Sequence, residues 1–581
     1  MAVLWRGSRE EFIRRLAHTE QPMMDAKLCR LLICALCAAF LLSPLACSQR
    51  TTTRETDARA NDPRHGGTLI VPIFGSAITR ARLDPIVPSY DPIASMIFDR
   101  LAVAEDPTGA RVGLALAETW EESPDGLVWR FYLREARFQD DECFPNGIGR
   151  RVRADDVIYS WQRMIRALPA GYHYFGRFIA GASEYRDGRA EAISGLRALD
   201  DRTLEVRLIT PFFGFIRAVT WFPTSIVPRE AVERYGEDFA KHPVGTGAFR
   251  LVEWDVNGGR ITLARNPNYW GRDPQGRQLP YLDEIRYVLY PNQMTAFQAV
   301  VNGEAHMAPV PADLLDGVAT RDSSGELRLR DEYAARNLRL VPYQPPIFGA
   351  YACFNLDRKT PFAREVRLRQ AIGYVLRLPS EPPMRPLLRP VFGVPSQDDK
   401  GFYYDPERAR ALLREAGHPK GRKLPKLRLV TTPYNREQNF ERIERIKELG
   451  IPLEENLVNS VEIEQRLREG DFDLYMSTWE WFYPDAAALL MRFLSDAPPE
   501  ENIARYRNPD FDALFMRMIG ERDETKRGLL VGEMEELLLR SAVWITFRIS
   551  SPDRQYVIIR NDARFHDSAR ERINFRTTWL D

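Results

Sequence analysis

Histidine is scarce in this 581-residue chain. Its seven copies, His18, His65, His173, His242, His306, His418 and His566, fall far apart, so no segment has the close ligand spacing of a zinc site. Cysteine is nearly missing from the body of the chain. Four of the six (Cys29, Cys34, Cys37 and Cys47) sit near the N-terminus, and only Cys143 and Cys353 lie beyond. Cys34 and Cys37 have CxxC spacing, but inside an apolar run. Neither later cysteine belongs to such a pair, which argues against a redox motif. Whether Cys143 and Cys353 join is left open, because bridging depends on close Cα atoms. There is no excess of either charge: 81 bases balance 81 acids, so no overall field favours nucleic acid or anionic lipid. HExxH, GxSxG and P-loop motifs are all missing, no cofactor or metal is called for, and no residue is singled out as catalytic. Acids are plentiful, so composition alone does not remove a paired-carboxylate glycosidase.

What is present begins with an export signal. Lys27 and Arg30 precede an apolar run at 31–42, then Ser43-Pro44-Leu45-Ala46-Cys47. The run is shorter than the roughly 20 residues of a membrane-spanning helix. Residues 1–47 therefore read as a signal segment, with translation expected to start at Met23 or Met24. Residues 48–63 are polar and read as a tether. At this length the remainder exceeds one hydrophobic core and divides into two or three domains.

Short strands and helices then alternate. Residues 67–71 read as a strand and 91–101 as a helix. Trp129, Phe131 and Leu133 alternate with Arg130, Tyr132 and Arg134, the signature of a strand with one buried face. Ala154-Asp155-Asp156 opens a helix whose apolar face is Val157, Trp161, Met164 and Ile165. The two carboxylates suit the positive helix end and read as capping, not as a catalytic dyad. Further on, Asp405-Pro406 starts a helix that Gly417 ends. A strand at 427–432, a helix from Phe440 to Gly450, a strand at 453–458, a helix at 461–468 and a strand at 473–478 follow. That order predicts an α/β unit with a parallel sheet and right-handed crossovers. Ligands of such sheets bind beyond the carboxyl ends of the strands. Two loops meet that condition. One carries Tyr434, Asn435 and Arg436. The other carries Trp479, Trp481, Phe482, Tyr483 and Asp485, a ring density that exposed loops seldom hold without a partner.

Several segments in order resemble the bacterial extracellular solute-binding proteins of family 5, the peptide-binding components of ATP-binding-cassette importers. They are 116–120, Pro124-Asp125-Gly126, Ala154-Asp155-Asp156-Val157, Gly245-Thr246-Gly247-Ala248-Phe249, Arg265-Asn266-Pro267-Asn268-Tyr269-Trp270, and Phe354-Asn355 followed by 366–372. The resemblance implies a periplasmic-binding-protein-like fold of two lobes with a hinge. The expected division is 64–98, 246–345 and 550–581 for the first lobe, 99–245 for its extra subdomain, and 346–549 for the second lobe. It further implies a monomer that binds a peptide or peptide-like solute without altering it, and that serves a permease and ATPase. Location in the periplasm or cell envelope would follow, with Leu45-Ala46-Cys47 resembling a lipoprotein signal acylated at Cys47. The same fold in the family also takes oligosaccharides and metal chelates, and a sensory or chaperone role stays open. One departure stands out. Where the family's Trp-x-x-Asp segment places an aspartate for the ligand's amino terminus, this chain has Phe482.

Overall fold

The computed structural model describes residues 63–74, 83–86, 92–105, 111–323, 325–343, 348–379, 381, 401–480, 482–549, 555–565 and 575–581. The signal segment, Cys47 and the tether lie outside them.

In the N-terminal portion, Thr68–Phe74 pairs in parallel with Glu284–Tyr290, and Arg260–Arg265 and Phe249–Asp255 extend the sheet antiparallel. A second, four-stranded antiparallel sheet runs Ala117–Glu122, Val128–Leu133, Thr203–Arg207, Leu196–Asp200. Its alternation is as the sequence predicts: Trp129, Phe131 and Leu133 are buried, and the core they join includes Trp161, Met164 and Ile165 of the helix Ala154–Ala167. Asp156 accepts from the backbone N–H of Arg153 at 2.8 Å and pairs with Arg150 at 2.6 Å, so its carboxylate serves as a cap.

The helix expected over 91–101 shrinks to a single turn, Ala94–Ile97. Other segments claim the backbone beyond it. The carbonyls of Ile97, Arg100 and Leu101 accept from Gly247, Leu116 and Ala115 respectively, at 2.8–3.0 Å. Those bonds satisfy the peptide groups without a helix.

The C-terminal portion holds a five-stranded sheet in the order Leu453–Leu457, Leu427–Thr431, Leu474–Glu480, Phe348–Phe354, Trp544–Ile549. The first three strands are parallel, as the strand–helix alternation predicts. Phe348–Phe354 runs antiparallel to both of its neighbours, Leu474–Glu480 and Trp544–Ile549, which that pattern did not foretell. Phe348–Phe354 and Trp544–Ile549 are the strands by which the chain enters and leaves the sheet. Each connects in sequence to a member of a separate sheet, Met307–Pro309, Gln555–Arg560, Leu338–Tyr343. The polypeptide thus passes between two sheets twice along neighbouring strands, with Tyr343 opposite Gln555 in one and Gly349 opposite Ile549 in the other. Successive residues of Phe348–Phe354 point into different cores. Ala350, Ala352 and Phe354 meet the helices Val366–Leu376, Pro406–Glu415 and Phe440–Glu448, whereas Tyr351 and Cys353 join the main core. Cys143 and Cys353 are both free thiols.

Candidate ligand-binding site

The strand Leu474–Glu480 is the middle member of the five-stranded sheet, and it runs on past the end of Leu427–Thr431. Beyond it the chain turns through 482–485 into the helix Ala486–Leu490. Asp485 caps that helix by accepting the Ala487 N–H at 2.9 Å. Its side chain is fully buried and holds two guanidiniums, Arg527 at 2.5 Å and Arg217 at 3.2 Å. Burial alone would push the carboxyl up, but the two arginines, Arg527 foremost, outweigh it and hold Asp485 below the usual carboxylate range. Gly214 leaves room for this pair, because a Cβ there would come within 2.7 Å of the Asp485 Oδ2.

Tyr483 is 2% exposed and donates its hydroxyl to the backbone carbonyl of Tyr174 at 3.0 Å. Phe482 is half-buried, with its ring centroid 4.4 Å from that of Tyr174 and 5.5 Å from that of Trp221. Tyr174 is itself buried and donates to Glu501 at 2.6 Å. Burial raises the Glu501 carboxyl above its ordinary value. Next to it, His173 meets the Met491 carbonyl at 3.2 Å through Nε2. Burial, and then the charge of Arg177, pull its pKa down to about 3. The imidazole is therefore neutral at physiological pH. Arg177 pairs with Asp496 at 2.7 Å.

Arg492, seven residues beyond Asp485, lies 5.3 Å over the Trp544 ring and contacts the Tyr174 hydroxyl. Trp544 stacks on Tyr351 at 3.6 Å. Arg217 and Arg527 also border a cavity of about 480 Å³. Its apolar wall is Val112, Trp120, Phe213 and Ile216, and its rim carries the Glu122–Arg522 ion pair at 2.6 Å. Arg522 also lies 4.2 Å over the Phe213 ring.

Two comparisons decide what this arrangement belongs to. The family model for bacterial extracellular solute-binding proteins, family 5, matches residues 111–500. The chain belongs to that family. Among curated proteins, the family-5 chain is 29% identical over 450 residues to the "Probable deoxycholate-binding periplasmic protein YgiS" of Escherichia coli, with 74% of this chain and 78% of the relative covered. It is likewise 29% identical over 455 residues to the "Periplasmic oligopeptide-binding protein OppA" of Salmonella typhimurium, covering 73% and 76%. Among solved structures it superposes on the Helicobacter pylori periplasmic binding protein DppA in complex with the peptide STSA. That match has a TM-score of 0.69 at 21% identity, with 89% of this chain and 98% of that one covered. The fold is the two-lobed one of periplasmic binding proteins.

The residues predicted for the site of this family-5 protein have different fates. Tyr483 and Asp485 are committed to the interior and present little or nothing to a guest. The expected loop at 432–436 is the start of a helix, Pro433–Gln438, capped by the Thr432 side chain. Tyr434 stands 69% exposed at its outset. Asn435 donates its backbone N–H to Thr432 at 3.1 Å. Arg436, a candidate ligand contact in the sequence, is held by Glu455 at 3.0 Å and lies 4.9 Å over Phe440. The Trp479 side chain and all of Trp481 lie outside the described residues. Of the predicted set, Phe482 keeps a ring partly accessible against rings from the other portion of the chain. The sequence reading missed its partners Tyr174 and Trp221. The dense run Tyr172-His173-Tyr174-Phe175 was the available signal, as rich in rings as the 479–483 segment itself.

Proposed function

We propose that the chain is the extracytoplasmic binding component of an ATP-binding-cassette importer and takes a peptide or peptide-like solute between its lobes. The observation that carries this reading is the ring cluster of Phe482, Tyr174 and Trp221. It stands at the carboxyl end of the sheet's middle strand, where open α/β sheets hold ligands, and it is built from both portions of the chain. The peptide-binding names of several relatives support the same class of solute. The word periplasmic in others supports the location. No helix among the described residues is long and apolar enough to cross a membrane. Attachment to the envelope would be through an acylated Cys47 and the tether at 48–63, a reading supported by the lipoprotein-like Leu45-Ala46-Cys47, with the mature chain a monomer. The site binds and releases without chemistry, and the importer's ATPase supplies the energy.

Phe482 favours a second reading of the solute. With a ring where the family's segment has an aspartate, the ammonium of an ordinary peptide loses its counter-charge there, and buried unpaired charge is costly. A blocked peptide or a non-peptide amphiphile suits the ring better. Deoxycholate, in the name of one relative, is an example of the latter.

Native mass spectrometry of protein purified from its own host tests the proposal. A retained small molecule of constant mass, which raises the melting temperature on re-addition and is recovered unchanged, supports binding. A molecule converted on incubation points to an enzyme instead.

A further inference from the structure

The arginines around the 482–485 turn are, with one exception, supplied with acceptors. Arg217 and Arg527 share Asp485. Arg177 has Asp496. Arg505 donates to four backbone carbonyls. Arg492 is the exception. Its guanidinium has the Trp544 ring and the Tyr174 hydroxyl for company, and its buried Nε has no acceptor. No carboxylate pairs with it among the described residues. The nearby Glu501 already accepts from Tyr174. Glu501, the carboxylate whose charge reaches Arg492, lies across the Tyr174 hydroxyl and makes no direct ion pair with it, so the guanidinium fork keeps room for an anion brought from outside.

We propose that Arg492 anchors an anionic group of the solute, and that the site takes a ligand with an apolar or aromatic body, a carboxylate and no free ammonium. This rests on the binding reading above and names the solute class for that site. The fork of a guanidinium suits a carboxylate, which it holds through two parallel N–H···O bonds. Tyr174 ties the pieces together, because it touches Arg492 with its hydroxyl and Phe482 with its ring. Phe482, Arg492 and Glu501 are the members of this cluster that keep accessible surface, whereas Tyr174, Trp221, Tyr483 and Trp544 are buried. A solute entering there meets one ring, one cation and one carboxyl. Glu501 is a poor receptor for an ammonium, since it already accepts from Tyr174 and lies under the charge of Arg492. Asp485 is saturated by its two arginines. Arg492 is thus the charged group of this cluster left without a direct partner of opposite sign among the described residues.

The test uses the full mature chain and three pools of di- to pentapeptides: N-acetylated free acids, the same sequences as C-terminal amides, and free-amino acids of the same composition. Affinity selection with mass spectrometry reads which pool is retained. The expected result is retention of the acetylated acids at least tenfold over the other two pools. Arg492→Gln should weaken that retention tenfold or more at an unchanged far-UV spectrum, and Arg492→Lys, which keeps the charge but not the fork, should weaken it less. Retention of amides or free-amino peptides as strongly as acetylated acids leaves a binding protein and overturns the anchor. So does an R492Q variant that binds acids as wild type does. Retention of no pool overturns the peptide reading; the anchor is then read with deoxycholate, and it is overturned if wild type does not bind that carboxylate or if R492Q binds it equally well.

Discussion

Tyr483 donates its hydroxyl to the backbone carbonyl of Tyr174 across 309 positions of sequence, at 3.0 Å. This bond pins the turn after the sheet's middle strand to the ring-rich segment at 172–175. It sets Phe482 against the Tyr174 face. Tyr483→Phe removes the donor and leaves a buried carbonyl without it. We expect a loss of about 1–3 kcal/mol in urea unfolding. A variant as stable as wild type would show that the bond is idle.

Asp485 is a stronger case. Asp485→Asn keeps the shape but leaves the Arg527 and Arg217 guanidiniums without their carboxylate in the interior. Breaking a buried pair by removing one partner costs about 3–5 kcal/mol. Since the carboxyl is depressed in the folded chain, its contribution is present above its unfolded pKa and is lost as pH falls through the folded one. The acid limb of a stability–pH curve should flatten in the variant, and an unchanged limb would remove Asp485 from the account.

His173 acts in the same direction from the opposite charge type. Its pKa is about 3 in the fold against an ordinary 6.5, so between those values the unfolded chain holds a proton that the folded chain does not. Stability is then complete above pH 6.5 and falls as the solution is acidified towards pH 3, by about 1.4 kcal/mol per unit at most. Arg177, Arg492 and Asp496 face the ring, and the two arginines reinforce the effect. His173→Gln, which does not titrate, should lose this slope; chemical denaturation at a series of pH values reads it.

Phe482→Asp would place a carboxylate beside Tyr174 and Trp221. We expect the variant to gain at least tenfold in affinity for free-amino peptides over wild type, as measured by calorimetry. No gain would mean that an ammonium does not reach this position.

Gly214→Ala tests the close approach at the ion pair. The added methyl would meet the Asp485 Oδ2 at 2.7 Å, so the turn or the carboxylate has to shift. A drop of several degrees in melting temperature is expected, and an unchanged melting temperature would show that the turn accommodates the methyl.

Much of the fold was readable because it is local. The strands at 427–431, 453–457 and 474–480 announce themselves by their place between helix stops and caps, and Asp405 caps its helix by accepting the Arg408 N–H, as its place before Pro406 suggests. The same signal was present at Thr432-Pro433 and went unused, which is why a helix start was taken for a loop. The antiparallel strands Phe348–Phe354 and Trp544–Ile549 were harder, since pairing direction is set by where a chain enters a sheet and not by composition. For the site, ring density at 479–483 marked the right turn, but burial of Tyr483 and Asp485 depends on Tyr174, Arg217 and Arg527. Asp485 and Arg217 are 268 positions apart, and no spacing rule connects them. Arg436 was one of the candidate contacts, and Glu455 on the adjacent strand holds it in an ion pair.

The double passage between the sheets limits how the molecule can move. Two hydrogen-bonded ribbons laid side by side bend readily about a line across both, and resist twisting or sliding, which would shear their ladders. Closure of the two-lobed fold about these strands would then be a swing along a single arc. Residues beside that line, such as Tyr343 and Gly349, could set how quickly the two bodies part while touching nothing they enclose.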